Sequence, residues 1–118
     1  YVLQPQSHRE ELKKFLVQQG YGIIEEQCLQ EGKQYYDIWV VERGANSVYS
    51  TLPADSILWE YGALLKAQRP QVWVDHIQRR IDTLQSIVVH MREASTDTGE
   101  ICRMEKEIQA LQTLVSEV

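Results

Sequence analysis

Residues Tyr1-Val2-Leu3-Gln4-Pro5-Gln6 constrain this chain more than any other stretch. An apolar run stops at a proline, which fixes φ and lacks the N–H a pairing ladder needs, so residues 1–3 are expected to end a buried strand. Ser7-His8-Arg9-Glu10 follows as a capping box, with the Ser7 hydroxyl and Glu10 carboxylate covering the free N–H groups of a new helix. Strand, polar turn, helix is the grammar of an α/β fold. It places Gln4, Pro5 and Gln6 at the carboxyl end of the strand, the edge where open α/β sheets bind ligands. A strand this early must wait for its neighbours, so the sequence is expected to be part of something larger.

With 118 residues the chain fits one domain, or one domain with a helical appendage. No run approaches the roughly 18–20 apolar residues of a membrane span, no secretory leader is visible, and a cytoplasmic protein is expected. Cys28 and Cys102 fall in different elements without CxxC or CxxH spacing, so reduced thiols are expected. The net charge of −5 is uneven: residues 66–92 carry Lys66, Arg69, Arg79, Arg80 and Arg92 against only Asp75 and Asp82. An acidic chain is a poor nucleic-acid binder as a whole. This one basic segment is the exception.

In chain order, residues 7–19 read as an amphipathic helix with Leu12, Phe15 and Leu16 inward and Lys13 and Lys14 on the opposite side, stopped by Gly20. Residues 21–29 and 34–41 read as an antiparallel hairpin turning at Gln30-Glu31-Gly32-Lys33. The second of these strands, rich in aromatic and β-branched residues, is apolar on both faces and is expected inside the sheet, pairing also with residues 1–3. Residues 42–53 read as a loop, and Asp55 as the cap of a helix through Ile57, Leu58, Tyr61, Leu64 and Leu65. After Pro70, Val74, Ile77, Ile81, Leu84, Val88 and Met91 are spaced 3-4-3-4-3, and so are Ile101, Met104, Ile108, Leu111, Val115 and Val118. These are heptad seams. Joined by the polar stretch 94–99, where Asp97 and Glu100 stand in capping-box register, they predict an antiparallel helical hairpin projecting as an arm.

Chemistry-bearing patterns are scarce. The chain has no GxGxxG, P-loop, HExxH or Cys/His cluster. His76 and His90 are about four helical turns apart and cannot share a metal. Glu25 and Glu26, adjacent in a strand, point to opposite faces and are not a paired-carboxylate site. Lys66, Arg69, Arg79, Arg80 and Arg92 are either an RNA-contacting stripe or a solvated helix face. On the residues alone the chain is an incomplete α/β unit carrying a helical arm, without a catalytic constellation of its own.

The order of pieces adds a resemblance. Tyr1-Val2-Leu3-Gln4-Pro5-Gln6, a short helix, Gly20-Tyr21-Gly22-Ile23-Ile24-Glu25-Glu26 and Glu31-Gly32-Lys33-Gln34-Tyr35-Tyr36-Asp37-Ile38 together resemble the bacterial tRNA (adenine-N1)-methyltransferase family TrmK. The segment around Tyr49, Ser50, Tyr61 and Gly62 fits the same pattern. Gln6 stands where the family has Asn, and Tyr61-Gly62-Ala63 where a Phe-Gly-Pro-like run is expected.

The resemblance implies the C-terminal part of a Rossmann-like, S-adenosylmethionine (SAM)-dependent methyltransferase sheet over residues 1–50 and a helical coiled-coil domain over 51–118. Residues 1–3 would be its fifth strand, and the last strand would lie antiparallel between the other two. It implies SAM as cofactor of the complete enzyme, with the SAM-binding half upstream, so that this chain alone would be inactive and hold no cofactor. Gln4, Pro5 and Gln6 would edge the substrate pocket, no catalytic base would be assigned, and the five basic residues would contact tRNA. The alternative is a non-catalytic module that pairs through its heptad helices. Either reading leaves an exposed strand edge at which the chain could self-associate.

Overall fold

The structure, a computed structural model, describes residues 1–5, 7–94 and 98–116. In order it runs β1 (Val2–Leu3), α1 (Arg9–Gln18), β2 (Tyr21–Glu31), β3 (Gln34–Arg43), a 3-10 turn (Val48–Ser50), α2 (Leu58–Tyr61), α3 (Ala63–Gln68), α4 (Gln71–Glu93) and α5 (Thr98–Ser116). These form two compact units, Tyr1–Trp73 and Val74–Val118. The division falls later than the expected 50/51 boundary because Trp59 and Ala63 share one core cluster with Ile23, Trp39, Val41 and Tyr49.

In the first unit the sheet order is β1-β3-β2, antiparallel throughout, so the last strand lies between the other two as expected. Leu3 pairs with Trp39 and Val2 with Val40. Tyr1 prolongs that ladder, its ammonium donating to the Val41 carbonyl at 2.9 Å and its own carbonyl accepting from Val41 N at 2.8 Å. The hairpin strands start at Tyr21 and Gln34 as predicted and run on to Glu31 and Arg43, each two residues longer at its carboxyl end.

One irregularity in β2 decides what faces the core. Ile23 pairs with Val41 but Glu25 pairs with Val40, so Ile24 is the extra residue of a β-bulge. In a regular strand residues three apart point to opposite faces. The inserted residue resets the alternation, and Ile23 and Glu26 are both fully buried while Ile24 and Glu25 are exposed. The Ile23 carbonyl accepts from Ser47 Oγ at 2.6 Å. Ser47 Oγ in turn accepts from Tyr49 N and starts the 3-10 turn that buries Tyr49. The loop expected at 42–53 is therefore partly ordered around a core tyrosine.

Helix α1 corrects the sequence reading twice. Its N-cap is His8, at φ 55, without a side-chain cap bond, instead of Ser7. The first-turn amide of Glu10 donates to Glu60 Oε2 of α2 at 3.3 Å, so a remote carboxylate does the capping. Lys13, expected outward, is fully buried, whereas Phe15, expected inward, is 56% exposed. The predicted helix from Asp55 is also split. Ser56 Oγ accepts from Leu58 N at the start of α2, and Gly62 at φ 104 breaks the run before α3, a backbone that L side chains rarely adopt.

In the second unit burial follows the seam of α4 through Ile77, Ile81, Leu84 and Val88, with Val74 and Met91 half-buried at its ends. In α5 Ile108, Leu111 and Leu114 are buried, and the seam residue Val115 is only half-buried. Helix α5 returns along α4: Arg80 meets Glu107 at 3.7 Å, and Arg92 pairs with Glu105. Asp97 and Val118, given roles above, lie outside the described residues.

Candidate functional site

The carboxyl end of β1 faces the earlier residues of β3, since the two strands are antiparallel and Leu3 sits opposite Trp39. Beyond Leu3, Gln4 is exposed and Pro5 half-buried; Gln6 lies outside the described residues. Two residues before Trp39 on β3, Asp37 is buried on the same face, at 3% exposure. There the first residue of α1 comes back to the sheet, Arg9 Nε lying 2.6 Å from Asp37 Oδ2. The contact is an ion pair without an aligned hydrogen bond, and Arg9 Nε and Asp37 Oδ1 are both buried without hydrogen-bond partners. Arg9 also approaches Glu60 at 3.7 Å and the Tyr35 ring at 5.9 Å. Burial pushes the Asp37 carboxyl above the usual range, while the Arg9 guanidinium, the Lys13 ammonium and a Tyr35 hydrogen bond pull it back.

Next to this pair lies a second buried polar group that sequence reasoning missed. Lys13 Nζ donates to Glu26 Oε2 at 2.9 Å and to the Tyr49 hydroxyl at 3.2 Å. It lies 4.8 Å from the centre of the Trp39 ring, a cation–π contact. The Tyr49 hydroxyl donates to Glu26 Oε1 and accepts from Ala63 N at 2.7 Å. Leu64 N donates to Glu26 Oε1 at 3.0 Å. Glu26 and Tyr49 thus cap the first two amides of α3, a task no residue of α3 itself performs. Burial, then the Glu26 charge, raise the Tyr49 hydroxyl well above its ordinary range, so it remains a donor. Lys13, Glu26 and Tyr49 are each hydrogen-bonded and enclosed, which fits structural work; the indole N–H of the neighbouring Trp39 is buried without a partner. A charge at 13, a carboxylate at 26 and Asn46-Ser47 before an aromatic residue were the available signals. None of them reveals the bulge that brings them together.

Tyr1, Val2, Leu3, Leu16, Tyr21 and Val41 line an apolar hollow of about 300 Å³. The basic candidates separate. Lys66 lies in the last turn of α3, and Arg69, at φ 50, sits 6.0 Å from the Trp73 ring; both belong to the first unit. Arg79, Arg80 and Arg92 are exposed on α4 in the second, and the last two pair with acids of α5. Among the described residues no group of His, Cys, Asp and Glu could hold a metal ion, and no helix is long and apolar enough to cross a membrane.

The sequence profile of the TrmK family, described as tRNA (adenine(22)-N(1))-methyltransferase, matches residues 1–113. No curated protein matches the chain. Among solved structures, a protein of the NADB-Rossmann superfamily from Streptococcus agalactiae aligns with a TM-score of 0.78 at 23% identity, over 98% of this chain and 47% of its own. The B. subtilis M1A22 tRNA methyltransferase TrmK aligns at 0.75 and 20% identity, over 98% and 50%. M. capricolum TrmK in complex with the cofactor product S-adenosyl-homocysteine aligns at 0.74 and 16%, over 98% and 48%. Likeness at these identities establishes the fold. The chain spans about half the length of the structures it matches.

Proposed function

The chain belongs to the tRNA (adenine(22)-N(1))-methyltransferase family, and from that membership we propose that it is the C-terminal portion of a SAM-dependent enzyme that methylates N1 of an adenine in tRNA. The observation that carries this reading is the family match across 1–113, which takes in the sheet, the β1–α1 connection and both long helices. SAM supplies the methyl group when bound. The end of β1 offers the neutral amide of exposed Gln4 and the ring of Pro5. These fit one wall of an adenosine cleft and leave its ribose and charged ends to residues outside this chain. An amide can donate to and accept from an adenine edge, which suits Gln4 to the border of the substrate pocket; Pro5 offers only its ring there, and Gln6 joins them by its place in the sequence.

The helical pair is the tRNA-gripping arm in this reading, with Arg79 exposed and Arg80 and Arg92 released from Glu107 and Glu105 to phosphate. In the complete protein, Arg79→Glu with Arg80→Glu is expected to weaken tRNA binding at least tenfold and to flatten the log–log salt dependence by roughly two. Unchanged affinity in a filter-binding titration would remove the arm from the RNA interface. The activity itself is tested by transfer of labelled methyl from SAM to unmodified tRNA. Incorporation into RNA is expected, and its absence with purified complete protein would overturn the reading.

A further inference from the structure

The connection from β1 to α1 leaves β3 and returns to it within two residues of the same strand. Leu3 is held opposite Trp39 by the ladder, and Arg9 is held at Asp37 by a 2.6 Å ion pair. The two ends are not equally secured. The Leu3 end has backbone pairing behind it, extending through Val2 to Tyr1. The Arg9 end is held to β3 by side chains, chiefly Asp37, with the Tyr35 ring beside it.

Packing alone does not call for a carboxylate here. Asp37 is 3% exposed and its Oδ1 has no hydrogen-bond partner, an expensive state for a carboxyl group. Its neighbours two and four residues on, Trp39 and Val41, fill the same face with apolar atoms. What the acid does that an apolar residue could not do is accept from the Tyr35 hydroxyl on its own strand and fix the guanidinium of Arg9; only the second contact reaches α1, and it sets the point where the connection rejoins the sheet.

The geometry points to Asp37 as a positioning residue: through Arg9 it sets the place of the β1–α1 connection, and so of Gln4 and Pro5, at the substrate edge. The substrate part of this inference rests on the methyltransferase reading; the clamp itself does not. The experiment therefore has two readouts on the complete protein and its Asp37→Asn variant. Hydrogen–deuterium exchange is expected to quicken at least tenfold at the Glu10 and Leu12 amides, which are bonded to Glu60 and to the His8 carbonyl where the connection enters α1, with the β2–β3 ladder unchanged. The kcat for tRNA methylation is expected to fall at least tenfold with the KM for tRNA within twofold, and Asp37→Glu to restore most of it. Arg9→Gln should reproduce both effects, and it decides the matter if the Asn variant fails to fold. Unchanged exchange at Glu10 and Leu12 would overturn the clamp. A loosened connection with unaltered kcat, or a lower melting temperature as the sole change, would overturn the positioning role. A wild-type protein that transfers no methyl to tRNA would sink the functional reading, and with it the substrate role, while exchange still decides the clamp.

Discussion

Lys13→Met should destabilise the first unit by about 3–5 kcal/mol, the usual consequence of removing one partner of a buried ion pair. Methionine matches the length of the lysine stem and keeps contact with the Trp39 ring, so lost volume is a minor part of the effect. The cost comes from Glu26, which is fully buried and would keep its bonds from Tyr49 and Leu64 N but lose its countercharge. Adding Glu26→Gln removes the stranded charge and leaves an acceptor for Leu64 N, so the double variant should recover most of the loss. Denaturant unfolding followed by tryptophan fluorescence checks both. A single-variant loss under about 1 kcal/mol would place the pair in the weak class of solvent-exposed bridges and contradict the buried network.

Gly22→Ala should cost about 3 kcal/mol, at the upper end of overpacking effects, since the obstacle is backbone. A Cβ at Gly22 would stand 2.3 Å from the Ala45 carbonyl oxygen. That approach belongs to the same construction as the bulge: Ala45 precedes Ser47, which bonds the Ile23 carbonyl and starts the turn carrying Tyr49. Gly20→Ala is the control. Its added Cβ meets nothing within 4 Å, and only its φ of +86 opposes the change, a cost of roughly 1–2 kcal/mol. A Gly22→Ala midpoint equal to that of the unchanged protein in thermal unfolding would show that the loop yields and that the close approach carries no energy.

The elements that sequence displayed are those set by local rules. Pro5 ends β1, Gly20 ends α1, Gly32 turns the hairpin, and the 3-4 spacing marks α4 and α5. Pairing of β1 with β3 followed from the apolar character of β3 on both faces. What stayed hidden depends on contacts between distant residues. Lys13 is buried only because Glu26 faces it, and Glu26 faces it only because Ile24 bulges. Ser7 lost the cap of α1 because Glu60, fifty residues on from Glu10, reaches that amide first. The carboxyl end of β1 was legible in the sequence as a place in the fold, and no mechanism was legible there. Asp37 and Arg9 looked like an ordinary strand polar residue and an ordinary helix start. Their meeting is set by strand register, which a single sequence does not print.

The most direct test of the methyltransferase reading is primer extension along a tRNA transcript after incubation of the complete protein with SAM. The transcripts carry adenine or guanine at position 22, the site in the family's name. Methylation at N1 blocks base pairing, so the account predicts a reverse-transcription stop at position 22 of the adenine transcript and none in the guanine transcript. Full-length extension through both, from a protein that binds SAM, would contradict it.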